Sequence, residues 1–252
     1  EQAERLRLVR TIGANTRFGA VNAPGEADPT TRIIDASEAE LFFRGLNRAL
    51  EGTERIVEAA SLDFITPCYL IVHPKGTLMW DVGQIPDANF PPSGGKATQG
   101  VFTSTKPLLP QLAAVGYKPS DITYLAMSHY HGDHTANANE FAGSTWIVQE
   151  TERNAMFAAE GPRLAQTANY AKLKGAKTII LHGEDRDVFG DGSVVIKYTP
   201  GHTPGHQSLF LKFAKTGPVV LAGDLYHYVE ERTLNRIPTF EADRNLTRES
   251  RQ

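Results

Sequence analysis

Two rhythms divide the chain. Before Cys68 the apolar positions recur mainly at helical spacing, and from there on they form short continuous or alternating runs broken by Gly, Pro and Asp. Residues 69–73 and 77–81 predict a strand pair turning at Pro74-Lys-Gly76, and the run from Ile122 to Met127 predicts a buried strand. Further strands are expected at 145–149, 178–181, 194–198, 208–213 and 219–222, with hairpin turns at Gly190-Asp-Gly192 and Lys215-Thr-Gly217. A helix is expected from a Thr105 cap to Val115, with Pro107 in its first turn and Gly116 ending it. Other helices are expected near 135–141, at 150–159 and at 163–173.

The first third is less regular. Residues 6–12 predict an opening strand and 22–31 a loop bearing Pro and Gly. Ser37 with Glu40 makes a capping box for a helix whose stripe runs through Phe42, Leu46, Ala49 and Leu50 towards Ile56, Val57 and Ala60. Gly45 and Gly52 weaken that helix. Its stripe packs on the domain, or serves as a lid or dimer contact. Residues 84–104 predict a long Pro/Gly-rich loop, a kind that is usually functional or disordered. Phe90, Val101 and Phe102 are its candidates for a substrate wall. Met156 and Phe157 either reach a substrate or join the core, the commoner fate of such residues on a helix.

Composition narrows the class. A chain of 252 residues can stand as one domain, and 40% hydrophobic with 22% charged residues is ordinary for a globular protein. A net charge of −3 gives no electrostatic case for nucleic-acid binding. No apolar stretch approaches the roughly 18 residues of a membrane span. The single cysteine, Cys68, adjoins an apolar run and is expected to be a buried, inert thiol. The chain starts at Glu1, not Met, so a removed export signal or tag is expected, with bacterial cytoplasm and periplasm both open.

Directly after the 122–127 strand comes Ser128-His-Tyr-His-Gly-Asp-His134. His129, His131, Asp133 and His134 are too polar and too close together to be core. Imidazole suits borderline cations such as zinc, and carboxylates can bridge two ions. An ion held by His129, His131 and His202 would keep an open position, Asp133 and His134 point to a second ion, and Asp224 has two oxygens with which to bridge them. His206 is expected to support this site, with Ser208 just beyond it in the same sequence pattern, while His73 and His182 look like ordinary turn or surface residues.

The His-x-His-x-Asp-His run, Gly201-His202 and Gly223-Asp224, spread over residues 68–230, resemble the metallo-β-lactamase-fold hydrolases. With the stretches 69–77, 80–83, 129–137 and 199–208, the chain is most similar to the N-acyl-homoserine lactonase group. The resemblance implies an α/β (α+β) four-layer αββα sandwich with metals at one edge between the sheets. It implies a single domain over 1–252, with an atypical N-terminal segment at about 9–61. It also implies two divalent ions, zinc first and iron, manganese or cobalt as alternatives. A metal-bridging hydroxide would open a small lactone, and Asp133 would pass a proton to the leaving alkoxide. No nucleic acid or membrane partner is implied; a homodimer is the family habit.

Two departures stand out. The group usually has a tyrosine three residues after the bridging aspartate; here His227 occupies that place between Tyr226 and Tyr228, and either Tyr226 or His227 is expected to orient the carbonyl. The family's seventh ligand, a later histidine, has no counterpart before Gln252. A truncated C-terminus is expected, with His227 as a replacement ligand or a weak second site as alternatives. A glyoxalase-II-like thioesterase or other ester hydrolase shares the ligand set, and a metal-binding protein that has lost catalysis is the rival of another class. A β-lactamase of the commonest zinc type would lack the histidine after the aspartate and carry cysteine at 224, unlike this chain.

Overall fold

Continuous apolar runs make strands buried on both faces. β2 (Ile65–His73) and β3 (Gly76–Trp80) pair antiparallel, with His73 opposite Gly76 at the turn. Leu70 and Met79 face one core; Ile71, Leu78 and Trp80 face another. The computed structural model describes residues 7–15, 65–100 and 102–252. β1 (Arg7–Asn15) pairs antiparallel with β2, in line with the expected opening strand. The expected loop at 22–31, the helical stripe between Ser37 and Ala60, and Val101 lie outside the described residues.

β4 (Ala97–Gln99) and β5 (Phe102–Ser104) form a small separate hairpin, so the expected loop at 84–104 is partly structured. β6 (Tyr124–Ala126), β7 (Thr145–Gln149) and β8 (Thr178–Leu181) extend the first sheet in parallel, in the order β1-β2-β3-β6-β7-β8. β9 (Arg186–Asp187), β10 (Val194–Tyr198), β11 (Gln207–Phe213) and β12 (Gly217–Leu221) form an antiparallel second sheet, in the order β12-β11-β10-β9. The strands and both hairpin turns of the last third stand where the pattern put them.

The sheets stack through Ile71, Leu78, Ile147, Val194, Ile196, Leu209 and Leu211, and all of these are buried. On the other face of the first sheet lie α1 (Leu108–Ala114) and α3 (Glu150–Met156), packed with Trp146, Phe141, Leu112 and Met156. Two short helices, α2 (Gly132–Thr135) and α4 (Thr167–Tyr170), replace parts of the longer helices expected. α5 (Val229–Thr233) and α6 (Arg244–Ser250) close the chain. None of the described helices is long and apolar enough to cross a membrane.

Two expectations change. The α1 cap is not Thr105: the Asp87 carboxylate accepts the Leu108 and Leu109 N–H groups, each at 2.7 Å, while Asn137 accepts the N–H of Asp87. Sequence spacing hides a cap supplied from 21 and 22 residues away. Asp87→Ala should therefore cost about 1–2 kcal/mol, read as a lower denaturation midpoint with unchanged denaturant slope. His73 is not a surface turn residue; it is buried, stacks on Phe189 at 4.1 Å and bonds Asp191 at 2.9 Å. Met156 and Phe157 take the core alternative, Met156 fully buried and Phe157 edge-on to Tyr170 at 5.7 Å. His182 is exposed, as expected. Cys68 is also as expected, its thiol pushed well up by burial.

Candidate metal centre

Three strand ends deliver the site. β6 stops at Ala126, and the chain passes through His129 and His131 into α2, which carries Asp133 and His134. The Thr199–His206 loop joins β10 to β11 and carries His202; Asp224 follows β12 in a single helical turn, Gly223–Leu225. Gly223 has φ 56°, and a Cβ there would lie 2.7 Å from the Ser128 Cβ, so only glycine lets Asp224 pass this close to the 128–134 loop.

The predicted ligands converge. Atoms of His129, His131, His202 and Asp224 lie within 4.8 Å of one another, as do those of Asp133, His134 and Asp224. His131 Nδ1 is 2.8 Å from His129 Nε2 and 3.1 Å from His202 Nε2. Asp224 Oδ1 is 3.1 Å from His134 Nε2, while Oδ2 is 3.4 Å from His202 Nε2 and 3.8 Å from His129 Nε2.

Burial, with repulsion from neighbouring imidazoles, holds His129 far below the ordinary histidine range and takes His131 down to about 2. Neutral imidazoles with lone pairs aimed at one another repel unless a cation lies among them. This donor set therefore fits divalent metal ions of the kind that take nitrogen and carboxylate ligands. Burial alone would raise Asp224, but His134 and His129 hold it far below the ordinary carboxylate range. Burial raises Asp133, with His134 opposing. His134 is itself held high, against the pull of burial, by Asp224, Asp133 and Asp81.

Of the two carbonyl-orienting candidates, His227 joins the cluster and Tyr226 does not. His227 Nε2 is 3.4 Å from Asp224 Oδ2, and its Nδ1 is 3.2 Å from Glu231 Oε1. Burial would lower this imidazole, yet its bonds to Asp224 and Glu231 take it up to about 10. The Tyr226 hydroxyl donates instead to the Arg251 carbonyl oxygen at 3.4 Å, with the Arg251 guanidinium over its ring. His206 has the supporting place expected: its Nδ1 meets Thr199 O at 3.0 Å, and Nε2 accepts the Asp224 N–H at 3.1 Å. Ser208 Oγ, just beyond His206, donates to the Ala222 carbonyl oxygen.

Four buried carboxylates around the site escaped the sequence reading. Asp81, just past β3 at φ 55°, accepts the Ser128 N–H at 2.6 Å and meets His134 Nδ1 at 3.0 Å. Its one signal was the Trp80-Asp-Val-Gly83 stretch. Glu152 accepts from Tyr130 N (2.7 Å), Thr203 Oγ1 (2.9 Å) and Gly205 N (2.8 Å), stitching the two histidine-bearing loops together. Burial nevertheless lifts it to about 7 against those three donors. Glu231 and Glu241 meet His227 and His202, and neither had any signal in the sequence.

The family model described as the metallo-beta-lactamase superfamily matches residues 62–252. The chain belongs to that superfamily. Among the superfamily's proteins, the N-acyl homoserine lactonase AttM of Azorhizobium caulinodans is 29% identical over 192 residues, covering 73% of each chain. An N-acyl homoserine lactonase from a Bacillus species is 32% identical over 201 residues, again 73% of each. A crystal structure of a quorum-quenching N-acyl homoserine lactone lactonase matches with TM-score 0.65 at 27% identity, over 81% of this chain and 78% of that one. The fold is thus the αββα sandwich of the metallo-β-lactamase superfamily, and the protein is a metal-dependent hydrolase resembling its lactonases.

Proposed function

We propose that this hydrolase opens the ring of N-acyl-homoserine-lactone-like substrates, using two divalent ions held by His129, His131, Asp133, His134, His202 and Asp224. The observation that carries the reading is the placement of Asp224, whose two oxygens face two different sets of donors, His134 on one side and His129 with His202 on the other. Two ions in such a site supply a water activated at neutral pH and a polarised carbonyl.

The chain's own residues do the rest. Asp133, at the start of α2 with its Oδ2 3.6 Å from His134 Nε2, is placed to hand a proton to the ring oxygen as the C–O bond breaks. His227 stands where the lactonases usually have tyrosine and aims Nε2 into the cluster; it is the hydrogen-bond donor for the substrate carbonyl. Phe240, 45% exposed and edge-on to His227 at 5.1 Å, offers apolar surface to an acyl chain.

The test is turnover of a panel of N-acyl-homoserine lactones of differing chain length by zinc-loaded protein, with metal content measured on the same sample. Lactone opening with about two ions per chain is expected for such a centre. Thioester hydrolysis without lactone hydrolysis would replace the substrate assignment; ions bound with no turnover of either would leave a metal-binding protein.

A further inference from the structure

His202 lies in a Pro/Gly-rich loop with no ladder of its own to fix its ring, yet the ring is 1% exposed and points one nitrogen at the cluster. Its other nitrogen, Nδ1, is 3.1 Å from Glu241 Oε1. Glu241 is fully buried as a side chain, and its second oxygen accepts the Thr247 hydroxyl of α6 at 2.7 Å. An ionised carboxylate only accepts, so this contact puts the imidazole proton on Nδ1 and leaves the Nε2 lone pair facing the other ligands.

The backbone repeats the clamp. Asp243 N–H donates to Gly201 O at 2.9 Å, Ala242 N–H to His202 O at 3.2 Å, and Ser250 Oγ to Pro200 O at 2.7 Å. Gly201, at φ 136°, lies so close to Thr247 that a Cβ would collide with its backbone nitrogen. The C-terminal segment therefore grips the His202 loop at three carbonyls and one imidazole.

Carboxylates also stand behind two other imidazoles of the site. His134 Nδ1 meets Asp81 at 3.0 Å and His227 Nδ1 meets Glu231 at 3.2 Å, with both Nε2 atoms turned towards Asp224. Arg251, just past α6, holds Glu231 at 2.7 Å as Thr247 holds Glu241. His202, His227 and Glu241 also lie close enough to be considered for an ion of their own. Against that, both Glu241 oxygens are engaged, and Oε1 is on the His202 nitrogen that faces away from the cluster.

We propose that Glu241, anchored by Thr247 of α6, is a positioning residue that sets the tautomer and direction of His202 and thereby the retention of the ion that His202 holds. The inference rests on the preceding reading only in taking His202 to hold an ion, and its readout is metal affinity, not turnover. Carboxylates in this relation to a metal-bound histidine typically change affinity about 10- to 100-fold when altered.

The test is Glu241→Gln in the full chain, titrated with zinc against a competing chelator, alongside the thermal midpoint of the metal-free protein. Zinc affinity is expected to fall by about 10- to 100-fold with the metal-free midpoint little changed. In zinc-loaded protein labelled with nitrogen-15 at histidine, the His202 Nδ1–H resonance should move upfield, because a neutral amide is the weaker acceptor. Zinc affinity within about twofold of wild type, or an unmoved resonance, overturns the proposal. If Glu241→Gln does not fold, Thr247→Val removes the anchor on Oε2 together with the hydroxyl's contact to the Asp243 carbonyl oxygen and leaves Oε1 on His202; a smaller loss of affinity supports the role, and an unchanged affinity refutes it. A wild-type protein that binds zinc but opens no lactone would sink the lactonase reading and leave this test intact.

Discussion

Asp224→Ala should abolish lactone turnover, by about 10³-fold or more, and reduce the bound metal from two ions to one or none. Among the described residues Asp224 is the one carboxylate shared by both ligand groups, and its oxygens lie between 3.1 and 3.8 Å from four of the site's histidines. Alanine removes the counter-charge that holds His134 and His227 high. Taking one partner from a buried ion pair costs about 3–5 kcal/mol, and the lower end applies here because the Asp224 side chain keeps 23% of its exposure. The metal-free variant should therefore also melt earlier. Metal analysis, turnover and the melting curve check all three; a variant that retains two ions and wild-type rate contradicts the bridging role.

Asp133→Asn should lower lactone turnover by about 10²–10⁴-fold while the chain folds normally. Asparagine keeps the shape of the side chain at the start of α2 but cannot deliver a proton to an alkoxide. The diagnostic comparison is a thiolactone of the same acyl chain. A thiolate leaves without protonation, so the variant should lose much less activity on it than on the oxygen ester. Near-wild-type lactone hydrolysis removes Asp133 from the scheme. An equal loss on both substrates makes its contribution ligation instead of proton transfer.

Much of this site was legible because its chemistry is concentrated. His129, His131, Asp133 and His134 fall within six positions, directly after a strand that its apolar run announces. Strands announce themselves here because burial on both faces leaves no room for polar residues, as at Leu70, Ile71, Leu78 and Met79. Helix ends were harder: the α1 cap comes from Asp87, across a turn and a hairpin, and local spacing carries no trace of it. His73 looked like a turn residue because its partners, Phe189 and Asp191, are more than a hundred positions away.

The sequence by itself determined which atoms can bind metal and the order in which they arrive, since imidazole and carboxylate identity does not depend on the fold. It also determined the departure at His227. Only the tertiary structure decided how those groups are held. Folding selected His227 over Tyr226 for the cluster, because the Tyr226 hydroxyl is taken by Arg251 O. It also brought Asp81, Glu231 and Glu241 behind three imidazoles from 53, 4 and 39 residues away in the chain. A glutamate's role as proton acceptor for a histidine is set by a contact of about 3 Å and by exclusion of water. Neither is written in the residue's own neighbourhood; both come from the packing of the C-terminal segment against the His202 loop.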